Sequence, residues 1–190
     1  MKKALILTLA LICCASFAFA QGGSVMVFGD MDGTTCNVTE AGFVQLYYFH
    51  KFSPGATAIE FRADISDVNW NFFGDNSPWT LKQGNFDGGI DPTAGCSIAY
   101  GSCYTGDIYL GSSAYAVISP SAPCTIIQVG PHGTPSLPGA TGPVMVDCGM
   151  PDSHLVAATG GAVIVNPDAT CDCDVPNEES SWGQIKALYE

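Results

Sequence analysis

The sequence predicts an all-β protein: an antiparallel two-sheet sandwich of the immunoglobulin type, followed by a short carboxy-terminal helix. Three observations carry this. Short apolar runs recur along the chain, turn-forming residues separate them, and charged residues are only 13% of the sequence against 22 glycines and 12 prolines. Amphipathic helices need a charged face repeating every 3.6 residues, whereas short strands and tight turns do not.

Residues 1–20, MKKALILTLALICCASFAFA, stand apart from that pattern. Lys2 and Lys3 precede an apolar stretch that ends in Ala18-Phe19-Ala20, the layout of a signal peptide cleaved between Ala20 and Gln21. Ile12 precedes Cys13, where a lipid-attachment signal needs a small residue. No later segment reaches the ~18–20 apolar residues of a membrane span, so no transmembrane segment is expected in the mature chain. The expected location is secreted, cell-surface or periplasmic.

Removing the leader leaves four basic residues, Lys51, Arg62, Lys82 and Lys186, against 18 carboxylates, a formal charge near −14. Nucleic acids and anionic membranes are bound by clustered Lys and Arg, so neither is an expected partner. About 170 residues suffice for one domain with a sizeable core.

The apolar runs fall at 25–28, 43–49, 56–62, 68–73, 107–110, 114–119, 124–129, 143–146, 154–158 and 162–165. In Ala58-Ile59-Glu60-Phe61-Arg62-Ala63 the alternation sends Ile59, Phe61 and Ala63 to a core and Glu60 and Arg62 to water. Ser53-Pro54-Gly55, Asn76-Ser77-Pro78, Asp87-Gly88-Gly89, Thr159-Gly160-Gly161 and Asn166-Pro167-Asp168 read as turns. Ten short strands at this spacing give a sandwich first and a flattened barrel second. At the end the period changes. Trp182, Ile185, Leu188 and Tyr189 lie at helical spacing, and Ser181-Trp182-Gly183-Gln184 matches a capping box. The expected organisation is a signal peptide at 1–20, a disulfide-stapled sandwich at 21–176, and an acidic linker with a short amphipathic helix at 177–190.

Seven cysteines remain after cleavage: Cys36, Cys96, Cys103, Cys124, Cys148, Cys171 and Cys173. In an oxidising compartment most should pair, and the odd one is left free or links chains. Proximity favours Cys96–Cys103, closing a short loop, and Cys124–Cys148 at the base of the Pro/Gly-rich excursion 130–142. Cys171 and Cys173 are too close for an easy mutual bridge, and one of them could reach Cys36. A zinc site at Cys171-Asp172-Cys173-Asp174 lacks further ligands at local spacing.

Two stretches resemble calcium loops. Asp30-Met31-Asp32-Gly33 lacks the opening acid. The better match places Asn85, Asp87 and Asp91 at alternating ligand positions with Gly88 at the turn, although Gln83 and Ala94 replace the opening and closing acids. Calcium is therefore the one cofactor the sequence suggests. Among the aromatics, Trp70 and Phe72 share a core-facing parity, and Trp79, between Pro78 and Thr80, is the expected exposed ring for stacking a sugar. There is no Gly-x-Ser-x-Gly elbow, no His-Glu-x-x-His and no phosphate-binding glycine loop. A glycosidase carboxylate pair cannot be located among so many acids.

Several segments taken together carry a family resemblance: Gly33-Thr34-Thr35-Cys36, Gly55-Ala56-Thr57-Ala58-Ile59-Glu60-Phe61, Gly95-Cys96, and the ending Trp182-Gly183-Gln184-Ile185-Lys186-Ala187-Leu188-Tyr189. With the signal peptide, they resemble a group of secreted β-rich proteins of environmental bacteria. That resemblance implies export and a β fold, with no activity or ligand to transfer. The 55–61 segment is also similar to the glycine-then-Glu/Phe strand of cohesin-like sandwiches.

The functional expectation is a secreted, non-catalytic extracellular or cell-surface protein that binds a glycan or another protein. The alternatives are a secreted polysaccharide hydrolase and a subunit of an extracellular polymer joined through the odd cysteine or an open sheet edge.

Overall fold

The computed structural model describes residues 22–88 and 94–173. The expected signal peptide and the helix predicted within 177–190 lie outside the described residues. Those described contain no helix and eleven strands: β1 (Ser24–Phe28), β2 (Asn37–Val38), β3 (Phe43–Asp64), β4 (Trp70–Asn76), β5 (Leu81–Gln83), β6 (Cys96–Val117), β7 (Thr125–Gly130), β8 (Val144–Asp147), β9 (Leu155–Ala157), β10 (Thr159–Gly160) and β11 (Ala162–Val165).

Two strands of 22 residues, β3 and β6, pair antiparallel and form the spine. The other side of β3 takes β1 along residues 47–51 and β8 along 56–60, and β7 takes residues 62–64. The other side of β6 takes β4 and β5. The sequence reads residues 53–55 as a turn between two strands. The structure instead runs one strand through them, with register shifts from His50 to Ala58 and positive φ at Phe52 and Gly55. These bulges reverse the inward parity from Val44, Leu46 and Tyr48 to Ile59, Phe61 and Ala63, and all six are buried. They also bend the strand over the core. The rings of Tyr48 and Phe61 lie 5.8 Å apart, whereas thirteen residues of straight strand would span ~43 Å. One bent strand thus contributes to both layers.

The predicted purely antiparallel pairing gives way to a mixed sheet, because β1–β10 and β11–β2 are parallel. β10 and β11 are consecutive stretches of chain separated by Gly161. β10 bonds to β1, β11 pairs with β7, and β7 returns to the end of β3. The chain passing from β10 into β11 therefore curls this strand path round on itself, which brings the fold towards the flattened barrel that was the second expectation. Such curling leaves fewer open edges.

The core holds Tyr48, Phe61, Phe86, Leu46, Ile59, Ile98, Leu110, Ile127 and Tyr115. Trp70 is buried as its parity predicts. Phe72 does not follow it inward: it is 38% exposed, at the rim against Tyr115, where the pairing of β4 with β6 shifts register.

Among the described residues the bridges are Cys36–Cys173, Cys103–Cys148 and Cys124–Cys171, and Cys96 is the free thiol. Cys36 does pair with one of the two late cysteines, but both proximity pairs are corrected. Cys96 and Cys103 lie in the same strand, ~23 Å apart if extended, far beyond bridging distance. Cys124 and Cys148 do not close the base of the excursion either. Gly130 stands opposite Arg62 and Val144 opposite Glu60, so the excursion's ends meet there. From that point β7 and β8 lead back to Cys124 and on to Cys148 in opposite directions along β3. Cys148 instead lies over Gly55 from Cys103, and a Cβ on Gly55 would sit 3.3 Å and 3.6 Å from the two sulfurs. Cys124, whose N–H donates to Asn166 O, meets Cys171 beyond β11.

A single carboxylate gathers the loops at one end. Glu40 accepts from Trp70 Nε1 (2.5 Å), Ser121 Oγ (2.6 Å), Ser121 N (2.8 Å) and Asn166 Nδ2 (2.7 Å). Burial works to raise its pKa, but the bonds from Ser121, Trp70 and Asn166 outweigh it and hold the carboxyl below its ordinary range.

Candidate functional site

The second layer, β5–β6–β3–β8–β9, turns a nearly continuous apolar row to the outside. Reading across the strands, Leu81 pairs with Ala99, Ala99 with Ala58, Ala58 with Val146, and Val146 with Leu155. Every second residue points inward, so Ile98, Ile59 and Met145 fill the core while this row faces out. Leu81 is 64% exposed and Leu155 41%. The row spans four inter-strand steps, ~19 Å. Together with Gln83, Ser97 and Ser136 it lines a shallow depression of about 210 Å³.

One row along, Glu60 also faces out. Its carboxylate accepts from Ser136 N (2.6 Å) and Ser136 Oγ (2.7 Å) and pins the 130–142 excursion beside the apolar row. The same excursion forms one wall of an open cleft of about 800 Å³, lined among others by Arg62, Asp64, Gln128, His132 and Thr159. Gln128 Nε2 donates to Gly160 O (3.2 Å) and Gly161 O (3.0 Å), which secures the opposite wall. Among the described residues Asp64 is the one carboxylate residue lining this cleft, and the backbone and side chain of Ser66 hold it below its usual pKa range. General acid–base hydrolysis of a glycoside needs two carboxyl groups facing each other across the bond. The described residues bring only Asp64 to this cleft.

The predicted site residues are placed as follows. Asn85 is half-buried, Asp87 is 2% exposed, and Asp91 lies outside the described residues. The 85–88 turn works as a plug: Phe86 enters the core, stacks 4.5 Å from Tyr48, and accepts at its carbonyl from Ala63 N. In the other calcium-like stretch, Asp30 accepts from Thr34 N, Thr35 N and Thr34 Oγ1, spending its oxygens on its own loop. Trp79, expected to be exposed, is half-buried. It donates Nε1–H to Tyr109 O (2.8 Å), and its ring packs against Tyr100 and Tyr104. Sulfur atoms of Cys124 and Cys171 lie within 4.8 Å of an Asp168 oxygen, but those sulfurs are bonded to each other. A disulfide offers no thiolate to a metal. Cys96 is fully buried, and burial pushes its thiol up to about 12. A thiol held there is not available to link chains.

The outward row was not among the sequence-predicted sites. Alternation around residue 59 marks Ala58 as outward. Its neighbours in space come from four other strands, and no local spacing announces them.

No family model matches the chain, and no curated protein matches it. Among solved structures, the cohesin module of a Clostridium perfringens ATCC13124 family 33 glycoside hydrolase is 9% identical, covering 77% of this chain and 98% of that one with a TM-score of 0.49. The seventh ScaB type I cohesin of Pseudobacteroides cellulosolvens is 13% identical, covering 77% and 93%, with a TM-score of 0.47. At these scores the likeness assigns neither partner nor activity, and the fold described above rests on this chain's own strand pairings. No helix among the described residues is long and apolar enough to cross a membrane.

Proposed function

We propose that the protein is a non-catalytic binding module of the cell exterior that engages a protein partner through the outer face of β5–β6–β3–β8–β9. The observation that carries this is the outward-facing row Leu81, Ala99, Ala58, Val146 and Leu155, exposed at both ends and half-buried between them. Small residues at its centre make a flat surface on which a partner's apolar side chains lie without obstruction, and the leucines supply area at both ends. Three disulfides and a bent spine hold the fold rigid, which lowers the entropy lost on binding. Disulfides also suit an oxidising compartment, in keeping with the predicted signal peptide.

Ala99→Arg tests the reading, because it places a long charged side chain in the middle of the row while leaving the inward residues untouched. Immobilised wild-type protein should retain one secreted partner from the producing cells' medium at micromolar affinity or better, and Ala99→Arg should lose it by a factor of roughly a hundred. Equal retention by both proteins, with both shown to be folded, would remove this face from the function.

A further inference from the structure

A second apolar surface lies on the other layer. Phe43 at the start of β3 is 59% exposed, Phe73 in β4 is 73% exposed, and their rings meet edge to face at 5.3 Å. Ile118, 56% exposed, sits beside them: Val117 N donates to Gly42 O and Ile118 N to Asn69 O, and Ala116 pairs with Phe43. Two exposed phenylalanines in contact with each other are a patch rather than the scattered apolar exposure ordinary for a surface.

The Cys36–Cys173 bridge fixes the root of the last 17 residues, 174–190, at this same end of the fold. Glu40 connects the pieces. It lies three residues before Phe43, it holds Trp70 three residues before Phe73, and it holds Asn166, which follows β11. The chain at the root is itself anchored to β2, since Asn37 Nδ2 donates to Asp172 Oδ1 (2.5 Å). From Cys36 to Phe43 the chain spans ~24 Å at most, and the seven residues 174–180 reach about as far when extended. The next residues in line are Trp182, Ile185, Leu188 and Tyr189, whose spacing gives a helix one apolar face.

We propose that the carboxy-terminal segment 181–189 docks in cis on the Phe43–Phe73–Ile118 surface and covers it. A bridge at residue 173 raises the segment's effective concentration at the patch, so a contact too weak for a separate peptide suffices here. The proposal concerns a different face from the one assigned to the partner and does not depend on it.

Amide hydrogen exchange on the purified full chain, read by mass spectrometry, tests it. Amides of 183–189 should exchange at least about tenfold more slowly than the same sequence as a free peptide. Phe43→Ser with Phe73→Ser should abolish that protection while β7 and β11 stay protected, which shows that the sandwich remains folded. Trp182→Ser with Leu188→Ser should abolish it from the other side. Exchange at the free-peptide rate in the wild type overturns the proposal, as does protection that survives Phe43→Ser with Phe73→Ser. Protection that appears only as protein concentration rises also overturns it, by assigning the patch to a second copy.

Discussion

Replacing Cys103 and Cys148 together by serine gives the sharpest test of how the chain is stapled. The bridge joins positions 45 residues apart, and the chain-entropy relation for a loop of that length gives about 4 kcal/mol at 25 °C. Cys36–Cys173 encloses both positions and already restricts the unfolded chain, so the expected loss is nearer ~3 kcal/mol. With a urea dependence of about 1–3 kcal/mol per molar, the unfolding midpoint should fall by roughly 1–3 M, followed by circular dichroism under non-reducing conditions. Cys96→Ala should cost only about 1 kcal/mol, because it trims a buried side chain and opens no loop. If Cys96 paired with Cys103, Cys96→Ala and Cys103→Ser would instead cost the same. Equal losses, or a Cys96–Cys103 peptide in a non-reducing digest, would refute the spine geometry, since one strand cannot bring those residues together.

Other predictions concern the interior. Glu40→Ala should destabilise by roughly 3 kcal/mol in the same assay, because four donors, including the indole of Trp70, lose a charged acceptor; a loss under 1 kcal/mol would show that water replaces it freely. His50 is fully buried, with Nε2 2.7 Å from Gly22 O and Nδ1 3.3 Å from Tyr100 Oη, and burial lowers its pKa. The unfolded chain therefore takes up its proton first. Stability should be fully present above about pH 6.5 and fall below it by up to ~1.4 kcal/mol per pH unit until the folded pKa is reached. His50→Gln should flatten that part of the profile, and an unchanged slope would contradict the assignment. Native Cys96 should be silent to a thiol reagent at pH 8 and react fully in denaturant; prompt native reaction would show that the thiol is reachable.

The strand positions were largely legible in the sequence, because burial on one side leaves a two-residue period that needs no knowledge of neighbours. Ile59, Phe61 and Ala63 are buried as that period requires. Legibility failed where two signals of the same kind mean different things. Ser53-Pro54-Gly55 carries turn chemistry, yet β6 continues alongside, so the same residues become bulges within a strand. Trp79 has turn residues around it, but the carbonyl of Tyr109, thirty residues on, binds its indole. Asp87 alternates like a calcium ligand, but it neighbours Phe86, and the core takes that ring.

The sequence by itself determined the class of fold, the alternating core and the presence of one cysteine more than can pair, because each follows from local composition and count. Tertiary structure decided which cysteine that is. It also decided that the long strand β3 bends to serve both layers, and that Leu81, Ala99, Ala58, Val146 and Leu155 share one surface. Each of these depends on which strand lies beside which. Hydrogen bonding across a sheet joins residues by register, and register is set by the packing of the whole chain rather than by distance along it.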